Sequence, residues 1–104
     1  MTAKLATSPS PRRIVVLSFP KVRELDIAGV MDVFVSANTF LPPERHYQIE
    51  IVRSARESQF TGMMGMQFVT ARHFSEVTDD FDTLIVPGGV DVDITAQDRP
   101  LQEW

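Results

Sequence analysis

Ile14-Val15-Val16-Leu17-Ser18-Phe19-Pro20 is the stretch on which the fold turns. Its aliphatic residues follow one another without alternation, and the first three are β-branched. That pattern suits a strand covered on both faces, as in a parallel sheet flanked by helices, better than a half-solvated hairpin strand. Pro20 has no N–H to give a ladder and ends the run. On the amino-terminal side, residues 1–12 read as a flexible leader. Lys4 and the small polar residues there lack the apolar core of a secretory signal. Residues 13–104 read as the folded part.

Beyond Pro20 the hydrophobic period changes. Ile27, Met31, Phe34 and Asn38, joined by Ala28, Val30 and Val35, follow the three-to-four spacing of an amphipathic helix that runs from Leu25 to about Thr39. Leu41-Pro42-Pro43 stops it. Tyr47, Ile49 and Ile51 then alternate with Gln48, Glu50 and Val52, which predicts a second strand with one less fully covered face. Gln59 to Thr61 and Met66 to Val69 flank a turn at Gly62 to Gly65 and predict a hairpin. A weak helical turn follows at Phe74 to Val77. Thr83-Leu84-Ile85-Val86 is a further apolar strand, punctuated by Pro87-Gly88-Gly89. The right-handed crossover rule makes Ile14 to Phe19 and Leu84 to Val86 parallel neighbours or near neighbours. Asp98 has the position of an N-cap, with Pro100 in the first turn and Leu101 and Trp104 on one face. The helix they begin has no terminating glycine or basic last turn, so the expectation is the amino-terminal portion of a larger α/β domain.

Composition narrows the chemistry. A chain of 104 residues, 43% apolar and 23% charged, holds one small domain. With no cysteine it has no disulfide, no thiol nucleophile and no cysteine-ligated metal of its own. The formal charge of -4 is the opposite of the basic footprint that a phosphate backbone selects, so the chain alone is not expected to grip DNA. No apolar run approaches the length of a membrane span, and no membrane partner is expected.

Asp26 is the first candidate site residue. A carboxylate at the start of a helix that follows a core strand lies at the strand's carboxyl edge, where open α/β sheets bind ligands; the plainer reading is an N-cap or first-turn acid that satisfies free helix amides and the helix dipole. Gly88 and Gly89 come to the same edge, either to let backbone N–H groups approach a ligand or to make a tight exit turn. Asp91, Asp93 and Asp98 lack the spacing of a calcium loop. His46 stands apart from His73, and His73 with Glu76 is too small a set for a metal, so no metal site is expected. Met63, Met64 and Met66, near Phe60 and Phe68, suit core filling or an oligomer contact. There is no Walker loop, no G-x-S-x-G elbow and no dinucleotide fingerprint, and no cofactor is expected.

One combination is more specific than its parts: Phe19-Pro20-Lys21-Val22-Arg23-Glu24-Leu25-Asp26-Ile27-Ala28-Gly29, then Asp32-Val33-Phe34, Ala37-Asn38 and Asp82 to Gly89. It resembles the ThiJ/PfpI branch of the class I glutamine amidotransferase-like superfamily. Ala37-Asn38, Tyr47, Gly65 and the Leu101 to Trp104 ending most resemble the amino-terminal domain of AraC-type transcriptional regulators. Isonitrile hydratases share the Phe-Pro, Leu-Asp and Pro-Gly-Gly elements and are the alternative, a small-molecule enzyme.

The resemblance implies a flavodoxin-like parallel sheet with flanking helices, of which this chain is roughly the first half. It also implies an acid at Asp26 facing a nucleophile-elbow residue, commonly Cys, that would follow the next strand, and a backbone amide at Gly88 or Gly89 lining the pocket. The regulator reading implies a cytoplasmic, ligand-sensing homo-oligomer with an unknown small-molecule effector. It leans against an enzyme, and it leaves DNA to a carboxyl-terminal region outside these residues. Val30 replaces a usual Pro, and Val90-Asp91 a usual Thr-Gly.

Overall fold

The computed structural model describes residues 12–90 and 97–104; the leader up to residue 11, and Asp91 and Asp93, lie outside them. In chain order the elements are β1 (Arg12–Ser18), α1 (Glu24–Asn38), a 3-10 turn (Pro43–Arg45), β2 (Tyr47–Arg53), β3 (Gln59–Thr61) and β4 (Gln67–Val69). They continue with β5 (Arg72–His73), a second 3-10 turn (Phe74–Glu76), β6 (Thr83–Ile85) and α2 (Arg99–Glu103). Four strands form a parallel sheet in the order β5-β2-β1-β6, and β3 and β4 form a separate antiparallel hairpin. This is the flavodoxin-like parallel sheet with flanking helices.

The uninterrupted apolar run has its reason in this order. As the inner strand next to β6, β1 has Ile14 beside Ile49 and Thr83, and Val16 beside Ile51 and Ile85. Successive side chains leave on opposite faces, so both faces must be apolar. Ile14 and Val16 join Phe19, Val22, Ile27 and Phe60 in a core that α1 and the hairpin cover. Val15 and Leu17 join Val52, Phe74 and Val77 on the other face, where Phe81, Leu101 and Trp104 pack. Trp104 keeps its indole N–H satisfied by donating to the Val77 carbonyl at 3.2 Å.

Helix α1 turns Ile27, Val30, Met31 and Phe34 to the sheet. Ala28 and Val35, expected on that face, are exposed instead, because they lie about 80–100° around the helix from the centre of the stripe at Ile27 and Phe34, whereas Val30 and Met31 lie within about 60° of it. The helix runs unbroken through Val30. Its end is fixed by Asn38, which donates to the Tyr47 carbonyl at 3.0 Å and accepts from the Tyr47 N–H at 2.7 Å. Phe34 meets the Tyr47 ring edge-on at 4.9 Å.

The expected apolar strand at Leu84 to Val86 differs in detail. It ends at Ile85, and Leu84 and Val86 are exposed. The strand lies at one edge of the sheet, and among the described residues the second face is covered only as far as Phe81 and Trp104.

The polar face of β2 carries an ion-pair network. Both forks of Arg72 reach Glu50, at 2.7 and 2.6 Å, and Arg13 stands 3.5 Å from the same carboxylate while also pairing with Asp79. Hydrogen bonding from Arg72, and then the charges of Arg72 and Arg13, outweigh burial and hold Glu50 below the ordinary 4.5. A carboxyl that is more acidic when folded stabilises the fold fully above its unfolded value, and the contribution is lost as pH falls through the folded one. Chemical denaturation repeated from pH 7 to pH 2 is therefore expected to show a steeper acid loss for the native chain than for Glu50→Gln. Equal slopes would contradict the network.

Candidate functional site

Parallel strands deliver their carboxyl ends to one edge, so the exits of β1 and β6 meet there. Phe19 begins a tight turn, its carbonyl accepting from the Val22 N–H at 3.0 Å, with Lys21 in the left-handed region at φ 66°. The segment that follows is clamped from two sides. On one side Lys21 N donates to Thr61 O at 2.8 Å and Met63 N to Val22 O at 2.9 Å. On the other, Val90 N donates to Lys21 O at 3.0 Å and Arg23 N to Gly88 O at 2.8 Å. Val22 and Gly89 form an antiparallel bridge. Gly89 is required by close approach, since a Cβ there would stand 2.6 Å from the Lys21 carbonyl oxygen and 2.9 Å from Val22 Cα.

Asp26 projects from the first turn of α1. It is not the cap; that position is Arg23, whose side chain makes no capping bond. The Asp26 Oδ2 instead accepts from the Gly88 N–H at 3.0 Å, and Arg23 Nε approaches the same oxygen at 3.9 Å. The side chain is 40% exposed at the mouth of a cleft of about 420 Å³, walled by Gly29, Val30, Ile85, Val86 and Pro87. Of the two candidate glycines, Gly88 lines this cleft and Gly89 is held in the bridge with Val22.

Glu24 carried no signal in the sequence beyond being one more acid before a helix, yet it is only 6% exposed. Its Oε2 accepts from Met64 N at 2.8 Å and Met66 N at 3.1 Å, so it closes the Gly62 to Gly65 turn of the hairpin. Burial pushes its pKa up, but the backbone N–H groups of Glu24, Met66, Met64 and Gly65 outweigh it and the carboxyl stays more acidic than usual. Glu24 and Asp26, two residues apart, thus fasten the same helical turn to two different loops.

The histidines serve local structure. His73 Nδ1 accepts from Ser75 N at 3.2 Å, the His73 N–H donates to Glu76 at 2.8 Å in a reciprocal cap, and Nε2 reaches the Ser54 carbonyl at 3.1 Å. His46 Nε2 lies 2.9 Å from the Leu41 carbonyl. Asp98 accepts from Leu101 N at 3.4 Å as the cap of α2. Among the described residues no three His, Asp or Glu side chains converge on one point.

The sequence profile of the DJ-1/PfpI family matches residues 12–104. The chain belongs to the DJ-1/PfpI family. No curated protein sequence matches it. Among solved structures, an AraC family transcriptional regulator from Pseudomonas putida superposes with a TM-score of 0.71 at 20% identity, over 89% of this chain and 50% of that one. Drosophila melanogaster DJ-1beta gives 0.72 at 16% identity, over 88% and 45%. A DJ-1 superfamily protein from Salmonella typhimurium gives 0.65 at 18% identity, over 77% and 40%. At these identities the likeness is one of fold. This DJ-1/PfpI chain spans half or less of the length of each. Among its described residues no helix is long and apolar enough to cross a membrane.

Proposed function

We propose that this DJ-1/PfpI chain is the ligand-sensing and dimerising part of an AraC-type transcriptional regulator. It acts in the cytoplasm, and residues outside this chain contact DNA. The observation that carries the reading is the Asp26 carboxylate held by the Gly88 amide at the mouth of a cleft on the carboxyl edge of the sheet. The fold shared with the Pseudomonas putida regulator supports it. The charge of -4 agrees with leaving DNA to other residues.

Self-association is the part of the reading that the surface supports. Leu25 is 75% exposed and Met64 79%, and they line one cleft with Met63, Met66 and Ala28. Val33 farther along α1, and Phe40 just past its end, are exposed as well. A helix apolar on both sides is stable where both sides are covered. Sedimentation equilibrium at micromolar concentration is expected to find a dimer of the 11.7 kDa chain, and Leu25→Glu combined with Met64→Glu to shift it to monomer. A native chain that is monomeric, with a cooperative unfolding transition, would remove the dimerising role.

A further inference from the structure

We propose that Met64 and Met66, at the tip of the hairpin of β3 and β4, are a reversible oxidation site for hydrogen peroxide and related small peroxides, and that their sulfoxides keep two copies of the chain apart. This rests on the self-association reading above and names how that surface is regulated.

The chain holds five methionines and no cysteine, so its sulfur is thioether throughout. Met1 lies outside the described residues, and Met31 packs under α1 against the core. The other three share the turn between β3 and β4, where Met63 is partly buried, Met64 is 79% exposed and Met66 is 58% exposed. That exposure does not come from a loose turn. Met63 N donates to Val22 O at 2.9 Å, Met64 N and Met66 N donate to the Glu24 Oε2 at 2.8 and 3.1 Å, and Gly62 N closes onto Met66 O at 2.7 Å. Gly62 lies so close over the carboxyl that a Cβ there would stand 2.5 Å from Glu24 Cδ. A buried carboxylate thus anchors the backbone from beneath, and the Met64 and Met66 side chains stay at the surface beside Leu25 and Ala28.

A thioether reacts with peroxide where the reagent can reach it, and reach is what separates these two side chains from Met31. The sulfur lone pair attacks one peroxide oxygen. The S–O bond forms as the O–O bond breaks, sulfur is oxidised by two electrons, and the departing hydroxide collects the proton of the transferred oxygen and leaves as water. An apolar side chain has become one with a strong hydrogen-bond acceptor. In a two-fold pair the patch meets its own copy, so the new oxygen gives up its water against the apolar surface of Leu25 and Ala28, which opposes association. Arg23 borders the same cleft, but its guanidinium faces Asp26, with Nε 3.9 Å from Oδ2. Met64 and Met66 are open in the single chain and covered in the pair, so peroxide acts on the dissociated chain and holds it apart. Sulfoxide reductases, with a dithiol as electron donor, return the thioether and make the site reversible.

The experiment is treatment of the 104-residue chain with hydrogen peroxide at neutral pH, with peptide mass spectrometry to place the added oxygen and sedimentation equilibrium to read the oligomer. Met64 and Met66 are expected to gain oxygen well before Met31, and the dimer dissociation constant to rise at least about tenfold. The urea transition of the oxidised chain is expected to stay cooperative with its midpoint unchanged. Met64→Leu combined with Met66→Leu keeps the apolar volume without the sulfur, so it should dimerise as the native chain does and ignore peroxide. Methionine sulfoxide reductase with dithiothreitol should restore the native dimer. Oxygen on Met31 as early as on the hairpin pair, an oxidised chain that dimerises unchanged or loses its urea transition, a reductase-treated chain that stays apart, or a double variant that dissociates in peroxide would each overturn the switch and leave the dimer standing. An untreated chain that is monomeric would overturn the self-association reading, and the switch with it.

Discussion

Phe19→Ala is expected to destabilise the fold by about 3–5 kcal/mol, the range for removing a buried aromatic ring without refilling its space. Phe19 is wholly excluded from solvent and packs in the core with Val16, Val22 and Ile27, where β1 leaves the sheet and the chain turns toward α1. It also borders Gly89, so its ring supports the bridge on which the carboxyl edge depends. Against a total stability of about 5–15 kcal/mol for a domain of ordinary kind, the loss is enough to leave a large fraction unfolded. Urea denaturation is the measurement, and Phe19→Leu, which keeps most of the volume, is expected to lose clearly less. A loss under about 1 kcal/mol for the alanine variant would mean that the core relaxes around the vacancy.

Gly89→Val is expected to lose about 3 kcal/mol, at the upper end for overpacking, because the groups its side chain meets cannot step aside. Lys21 O and Val22 Cα are backbone atoms, 2.6 and 2.9 Å from the position of a Cβ, and they belong to the segment clamped between the hairpin and the Pro87-Gly88-Gly89 turn. The neighbouring positions provide the contrast. At Gly88 a Cβ would meet only the Asp26 Oδ2, at 3.2 Å, which a side-chain rotation relieves; at Gly29 it would meet nothing. Thermal unfolding of Gly89→Val, Gly88→Ala and Gly29→Ala is therefore expected to rank them from the most damaged to one unchanged or slightly stabilised, since alanine favours a helix over glycine by about 1 kcal/mol. If the first two melt alike, the Val22 to Gly89 bridge is not closed in solution.

Much of the architecture was legible in short stretches. Ile14 to Leu17 announced a doubly covered strand, the change of period at Ile27, Met31 and Phe34 announced α1, and Gly62 to Gly65 announced the hairpin, because each pattern reports a local backbone preference. Asp98 could be read as a cap for the same reason: its partner, the Leu101 amide, is three residues away. The motif from Phe19 to Gly29 with Asp82 to Gly89 identified the family, and the matched span bears that out.

What no local pattern could supply is who meets whom. Asp26 read most plainly as a cap or first-turn acid until the fold set the Gly88 amide, 62 residues away in sequence, against its carboxylate. Glu24 had no distinguishing mark at all, and only the docking of the hairpin, 40 residues on, turned it into a buried anion holding a turn. Gly88 and Gly89 are the same residue type side by side, yet one lines a cleft and the other is pressed against Lys21. The sequence by itself determined most of the elements and the family: β1, α1 and the hairpin follow from preferences among residues close in the chain, whereas the exposure of Val35, Leu84 and Val86 does not. The tertiary structure alone decided the partners of Asp26, Glu24 and Gly89, because hydrogen bonds and steric contacts depend on atoms a few ångströms apart in space, and the crossovers of a parallel sheet bring those atoms from distant parts of the chain.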